Sequence, residues 1–171
     1  MPRTRPAGPA DAGAIGRVHV NSWRSAYAGL PLQGLSITQR QDRWRELLVG
    51  DELRANVLVL VDGGSVVGFA CAGPSRDADA RPDTGELMSL YLDPAAWGRG
   101  FGRMLHDDAL ALLRSAGNRT ATLWVLNSNA RARRFYEKAG WRADGATKMD
   151  TIAGGPPLTE VRYAGALDEI G

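Results

Sequence analysis

The sequence predicts one α/β (α+β) domain over residues 1–171, with a mixed central sheet of about six or seven strands and about four helices. Three observations carry this. Apolar residues recur at three- and four-residue steps in several segments, as amphipathic helices require. Elsewhere the period drops to two, or to short β-branched runs bounded by turn residues, as strands require. The order of these segments is helices, a hairpin, then strand, helix, strand, helix, strand, strand. That order places a parallel crossover in the middle of the sheet.

The elements follow in turn. Residues 9–28 read as a helix: Ile15, Val18, His19, Trp23, Ala26 and Tyr27 recur at helical steps, Pro9 and Asp11 suit its start, and Gly29 and Pro31 end it. Ile37–Val49 reads as a second helix with Trp44, Leu47 and Leu48 on its apolar side. "NVLVLVDGGSVVGFACAG" is two β-branched runs around Asp62-Gly63-Gly64, a hairpin signal. "PSRDADARPDTG" is a polar loop, followed by a strand over 85–92 and a glycine loop. A helix then runs to about Ala116, "TATLWVL" is a buried strand, and "SNARARRFYEKAG" is a helix from a Ser or Asn cap to Gly140. The tail reads as two strands joined by a proline-bearing connection.

Composition narrows the function classes. A chain of 171 residues buries a sizeable core without metals or disulfides. The formal net charge of +2 makes no demand for nucleic acid, and the longest apolar run, Val57–Val61, is far too short to span a membrane. The arginines near the N-terminus have no apolar segment behind them, so no targeting segment is read there. One cysteine, Cys71, permits no internal disulfide and suits a reducing cytoplasm. Cys71 lies in an apolar run and reads as a buried thiol. His19 and His106 are isolated on their helices, with no ligand spacing around them, so no metal is expected.

The chemistry concentrates in two stretches. "WGRGFG", residues 97–102, sits between a strand and a helix. Glycine lets a ligand approach the backbone. The first amides of a helix lack internal partners, and the helix dipole adds positive charge there. Gly98, Gly100 and Gly102 with Arg99 and Arg103 therefore predict a phosphate site. A dinucleotide fold is the rival, but its G-x-G-x-x-G spacing and distal acid are missing. The second stretch, "NARARRFYEKAGW", places Asn129, Ala132 or Arg133, and Tyr136 on one helical face. Arg131, Arg134 and Lys138 form a separate charged face, and "RARR", residues 131–134, reads as a solvated face with a contact to an anionic ligand end rather than as a nucleic-acid patch.

Two quoted segments, "GELMSLYLDPAAWGRGFGRML" and "LWVLNSNARARRFYEKAGW", together resemble the GCN5-related N-acetyltransferase (GNAT) superfamily. "VHVNSWRSAYAGLP" is similar to the opening helix of many bacterial members. The resemblance implies a sheet splayed in its middle and acetyl-coenzyme A as co-substrate. It implies that the loop of Trp97, Gly98, Arg99, Gly100, Phe101, Gly102 and Arg103 cradles the pyrophosphate. Leu90, Tyr91 and Leu92 would pair through their backbone with the pantetheine arm, and Asn129 and Arg133 would add contacts. The usual Arg or Gln is replaced by Trp97.

Acetyl transfer to an amine needs a base, an oxyanion donor and an acid for the leaving thiolate. Glu86 is the candidate base, at the start of a strand whose period-two alternation puts Met88, Leu90 and Leu92 on its face. Tyr136 is the candidate acid, and a strand N–H near Leu90 the oxyanion donor. Trp23, Tyr27 and Trp44 are expected to line the acceptor pocket, and Asp77, Asp79 and Asp83 to favour a cationic amine. The acceptor is a small-molecule or peptide amine, and a homodimer is allowed. The competing reading is a cofactor-binding regulatory module without useful catalysis.

Overall fold

The computed structural model describes residues 1–32, 34–50, 56–152 and 154–171. In chain order its elements are β1 (Arg3–Pro6), α1 (Ala12–Ala26), α2 (Ile37–Val49), β2 (Asn56–Asp62), β3 (Ser65–Pro74), β4 (Thr84–Leu92), α3 (Phe101–Ser115), β5 (Thr120–Leu126), α4 (Ala130–Lys138), β6 (Arg142–Thr151) and β7 (Pro157–Ala166). The strands form one sheet in the order β1-β2-β3-β4-β5-β7-β6. Among the described residues only the β4–β5 pair is parallel, and α3 crosses between those two strands.

Two differences from the sequence reading have physical causes. The first helix begins at Ala12 because Pro9–Asp11 closes a separate 3₁₀ turn. There the Asp11 carboxylate accepts from the Gly8 N–H at 2.8 Å and from Arg5 at 2.7 and 2.8 Å. The strand β1, "RTRP", has no apolar alternation to betray it. Its identity comes from pairing with β2, Arg3 opposite Val61 through Pro6 opposite Leu58.

Each face of the sheet buries its own core. On one face α1 and α2 pack Ile15, Val18 and Trp44 against Val57, Val59 and Phe69. On the other, α3 and α4 pack Leu105, Leu110, Leu113 and Tyr136 against Leu60, Leu87, Leu123 and Tyr163. The hairpin turn is built on Gly63 and Gly64, both at positive φ. Ser36 caps α2 through its side chain, accepting from the Gln39 N–H.

The feature that positions the site is the join of the two half-sheets. The strands β4 and β5 pair only at Thr84, Gly85 and Glu86, opposite Thr120, Ala121 and Thr122. Beyond Glu86 they diverge. On its other side β4 stays paired with β3 as far as Leu92, and β5 stays paired with β7 as far as Leu126. Each therefore keeps one unpaired backbone edge, and the two edges face a cleft.

Candidate active site

A cavity of about 1020 Å³ occupies this cleft. It runs from the C-terminal end of α1, past the free edge of β4, to the glycine loop and the start of α4. A bulge shapes its wall: Leu87 pairs with Ala72 but Ser89 pairs with Cys71, leaving Met88 extra. This overturns the expected alternation. Met88 and Tyr91 face the α1 side, whereas Leu90 and Leu92 turn to the α3 core. A bulge adds one residue and so exchanges the faces of everything after it.

At the α3 end the cradle is built from backbone. Gly98 and Gly100 have φ of 76° and 80°, a region closed to most side chains, and a Cβ on either would meet nothing within 4 Å. Gly100 is also the N-cap of α3, and no side chain caps that helix end. Its first amides therefore remain free for an anion. Gly102 serves differently: a Cβ there would stand 3.5 Å from Leu92 and Phe135, so it allows close packing.

The loop side chains divide. Arg103 lines the cavity and is braced by Asp107 at 2.9 Å. Trp97 lines it too, donating its indole N–H to the Leu92 carbonyl at 3.1 Å. The Arg99 side chain is drawn instead to Asp62, at 2.8 Å, and lies over the Phe101 ring. Phe101 itself is in the α3 core. The Arg133 side chain is likewise off the cavity, bonded to the Tyr163 hydroxyl at 3.0 Å and to Asn127 at 2.8 Å. The residue on the cavity is Arg131, whose guanidinium stacks 3.6 Å from the centre of the Trp97 ring.

Where the half-sheets part, Tyr136 is buried among core residues yet lines the cavity. Burial, reinforced by nearby Tyr27, pushes its hydroxyl above the ordinary phenol range, so it stays protonated. Asn129 caps α4, its Oδ1 accepting from the Ala132 N–H at 3.1 Å. Its amide nitrogen and the second lone pair of Oδ1 are left for a ligand. Trp23 and Tyr27 line the cavity as expected. Trp44 does not. It lies between α1 and the sheet and donates to His19 Nδ1 at 3.2 Å.

The acceptor side holds charges that the sequence did not pair. Glu86 is 1% exposed, and both its oxygens are taken by Arg76. The Arg76 backbone N–H donates at 2.9 Å, Nε at 3.2 Å and Nη2 at 2.6 Å. The loop aspartates are also committed. Asp79 binds Arg162 through two bonds of 2.7 and 2.8 Å, and Asp77 accepts from the Trp124 indole at 2.9 Å. Asp83 stands by Arg81 and does not line the cavity. A different carboxylate, Glu160 of β7, faces the cavity, 3.4 Å from Lys148. Its sequence signal was alternation: Leu158, Glu160 and Arg162 share one face of a central strand, so a charge recurs where the sheet faces inward.

The remaining candidates are structural. Burial raises the Cys71 thiol to about 12 and lowers His19 to about 3. His106 is fully buried, accepting from the Trp141 indole at 2.9 Å. Among the described residues no group of His, Cys, Asp and Glu is placed to hold a metal, and no helix is long and apolar enough to cross a membrane.

A splayed sheet, a free strand edge and a glycine-led helix start are shared with a known class of enzymes. A model of the acetyltransferase (GNAT) family matches residues 20–141, and the chain belongs to that family. An uncharacterised N-acetyltransferase of Bacillus subtilis is 31% identical over 133 residues, 75% of this chain and 74% of that one. A mycothiol acetyltransferase of Beutenbergia cavernae is 50% identical over 58 residues, 34% of this chain; the match spans only 20% of that relative. Among solved structures, an N-acetyltransferase of Thermoplasma acidophilum in complex with coenzyme A shares the fold with a TM-score of 0.73. It is 18% identical, and 97% of this chain and 99% of that one are covered.

Proposed function

We propose that this protein moves the acetyl group of acetyl-coenzyme A to the primary amine of a small molecule or peptide. The observation that carries the reading is the join of one cavity to two unlike ends. One end offers bare backbone amides at Gly100 and the start of α3, with Arg103 and Arg131 beside them. The other offers aromatic and acidic side chains. The first suits a diphosphate. The unpaired edge of β4 between them suits an extended amide-bearing arm, taken up as a sheet takes up a strand.

The residues then divide the work. Amides along Leu90–Leu92 hold the arm and polarise the acyl carbonyl. Tyr136, kept neutral by burial, donates its proton toward the departing sulfur. The amine's proton goes to a carboxylate of the acceptor wall. For Glu86 to take it, the Arg76 side chain, 64% exposed, would first have to swing away.

The test is thiol release from acetyl-coenzyme A against a panel of amines, with coenzyme A binding followed by calorimetry. Tyr136→Phe is expected to lower turnover about 10- to 1,000-fold while leaving coenzyme A affinity unchanged. Wild-type turnover in that variant would remove the acid role. No heat with coenzyme A would remove the reading as a whole.

A further inference from the structure

We propose that Glu160, on β7, is the general base that takes the proton from the acceptor's ammonium group. This rests on the acetyl-transfer reading and names the residue that activates the nucleophile.

Of the four carboxylates that line the cavity, Asp77, Glu86, Asp150 and Glu160, the two glutamates differ in what holds them. Glu86 receives three hydrogen bonds from Arg76, at 2.6 to 3.2 Å, and is 2% exposed at its side chain. A carboxylate so bound must first lose a guanidinium before it meets a substrate proton. Among the described residues the ion pair of Glu160 is with Lys148, at 3.4 Å. That lysine is itself shared, its Nζ lying 4.4 Å from the centre of the Trp124 ring. The Glu160 side chain is 15% exposed, so it is enclosed yet reachable.

Position agrees. Glu160 pairs with Leu126 at the end of β5, where β4 and β5 stand apart and both edges are free. Glu86 pairs with Thr122 at the closed end of the cleft. The groups around Glu160 come from every neighbouring element: Lys148 and Asp150 on β6, Arg76 after β3, Tyr27 at the end of α1 and Tyr91 on β4. Burial first, then Asp150, raise its proton affinity above that of an ordinary glutamate, against the opposing effects of Lys148 and Arg76. A base whose proton affinity lies closer to neutrality transfers protons more effectively.

The step balances. Glu160 removes one proton from the ammonium, freeing the nitrogen lone pair. That pair forms the C–N bond to the acetyl carbon, and the C–S bond breaks with its electrons on sulfur. A second N–H proton reaches sulfur by way of the Tyr136 hydroxyl, and the proton on Glu160 passes to water. The sum is ammonium plus thioester giving amide, thiol and one proton.

Glu160→Gln and Glu86→Gln separate the two carboxylates, with spermidine, tyramine and a lysyl peptide as acceptors. Glu160→Gln is expected to cut kcat at least about 100-fold, to leave coenzyme A binding unchanged and to abolish the rise of kcat/KM with pH. That rise belongs to the deprotonated base, so it follows the raised affinity of Glu160 upward in pH. Glu86→Gln is expected to retain the rise. The assignment is overturned by a Glu160→Gln enzyme with wild-type rate, or by loss of the rise in Glu86→Gln alone. A second readout needs no acceptor: carbon NMR of the Glu160 carboxyl with coenzyme A bound. A midpoint above the ordinary glutamate range supports the role, and one at or below it overturns it. Wild-type thiol release, measured alongside, distinguishes failure of this assignment from failure of acetyl transfer itself.

Discussion

Trp97 donates to the Leu92 carbonyl and carries the Arg131 guanidinium on its face. The resemblance implies an Arg or Gln at this loop position. Here the positive charge arrives from α4 instead, held flat by the indole, an arrangement worth about 0.5–2 kcal/mol in itself. An arginine fixed in this way loses little conformational freedom when it meets a phosphate. Arg131→Ala is therefore expected to weaken coenzyme A binding about 5- to 30-fold at low salt, and less at high salt, because the lost contact is ionic. Calorimetry at two ionic strengths measures this, and an unchanged Kd at low salt removes the role. The glycines of the loop were legible in the sequence, and two of them do need positive φ. Which arginine lies on the cavity is not legible in the sequence, because helical spacing separates faces but does not say which neighbour competes for a side chain. Arg133 is captured by Tyr163 and Asn127, which leaves Arg131 over the cavity.

At the scale of elements, the loop between β3 and β4 is tied to β7 by Arg162. Arg162 is 14% exposed at its side chain and binds Asp77, Asp79 and Asp144. It thereby ties the loop to both β7 and β6, and the same loop presents Arg76 to Glu86. The sequence displayed the aspartates as a free acidic patch, since their partner lies more than 80 residues further along the chain. The second helix, by contrast, was read to the residue, because its cap and its terminating glycine are local. Arg162→Met keeps the bulk and removes the charge, leaving three carboxylates without their shared partner. The expected cost is on the order of 2 kcal/mol by urea denaturation. Faster amide exchange confined to residues 75–83 is expected with it. Unaltered exchange in that loop would show that Arg162 does not clamp it.

Across the whole molecule, the two cores are built alike: each buries a neutral histidine that accepts from a tryptophan indole. His19 pairs with Trp44 on the α1 face, and His106 pairs with Trp141 on the α3 face. From the sequence each histidine reads as an isolated helix residue; the tryptophan partners, 25 and 35 residues away along the chain, leave no local signal. The layer order and the crossover were legible because they depend on periodicity; the strand β1 and the β4 bulge were not, because they depend on pairing. Burial is the leading cause that lowers both histidines, His19 to about 3. In the unfolded chain a histidine titrates near 6.5, so between pH 6.5 and about 3 the unfolded state binds the extra proton. Stability is thus fully present above 6.5 and declines as pH falls through this window, by up to about 1.4 kcal/mol per pH unit for one histidine. His19→Gln retains an acceptor for the Trp44 indole and cannot take up that proton. It is expected to be less stable than wild type at pH 7, because the ring stacked on Tyr91 is lost, yet to show a shallower decline from pH 6 to pH 4. Urea titrations at pH 7, 6, 5 and 4 measure both quantities. Parallel declines in the two proteins would mean that His19 does not drive acid unfolding, whatever the difference at pH 7.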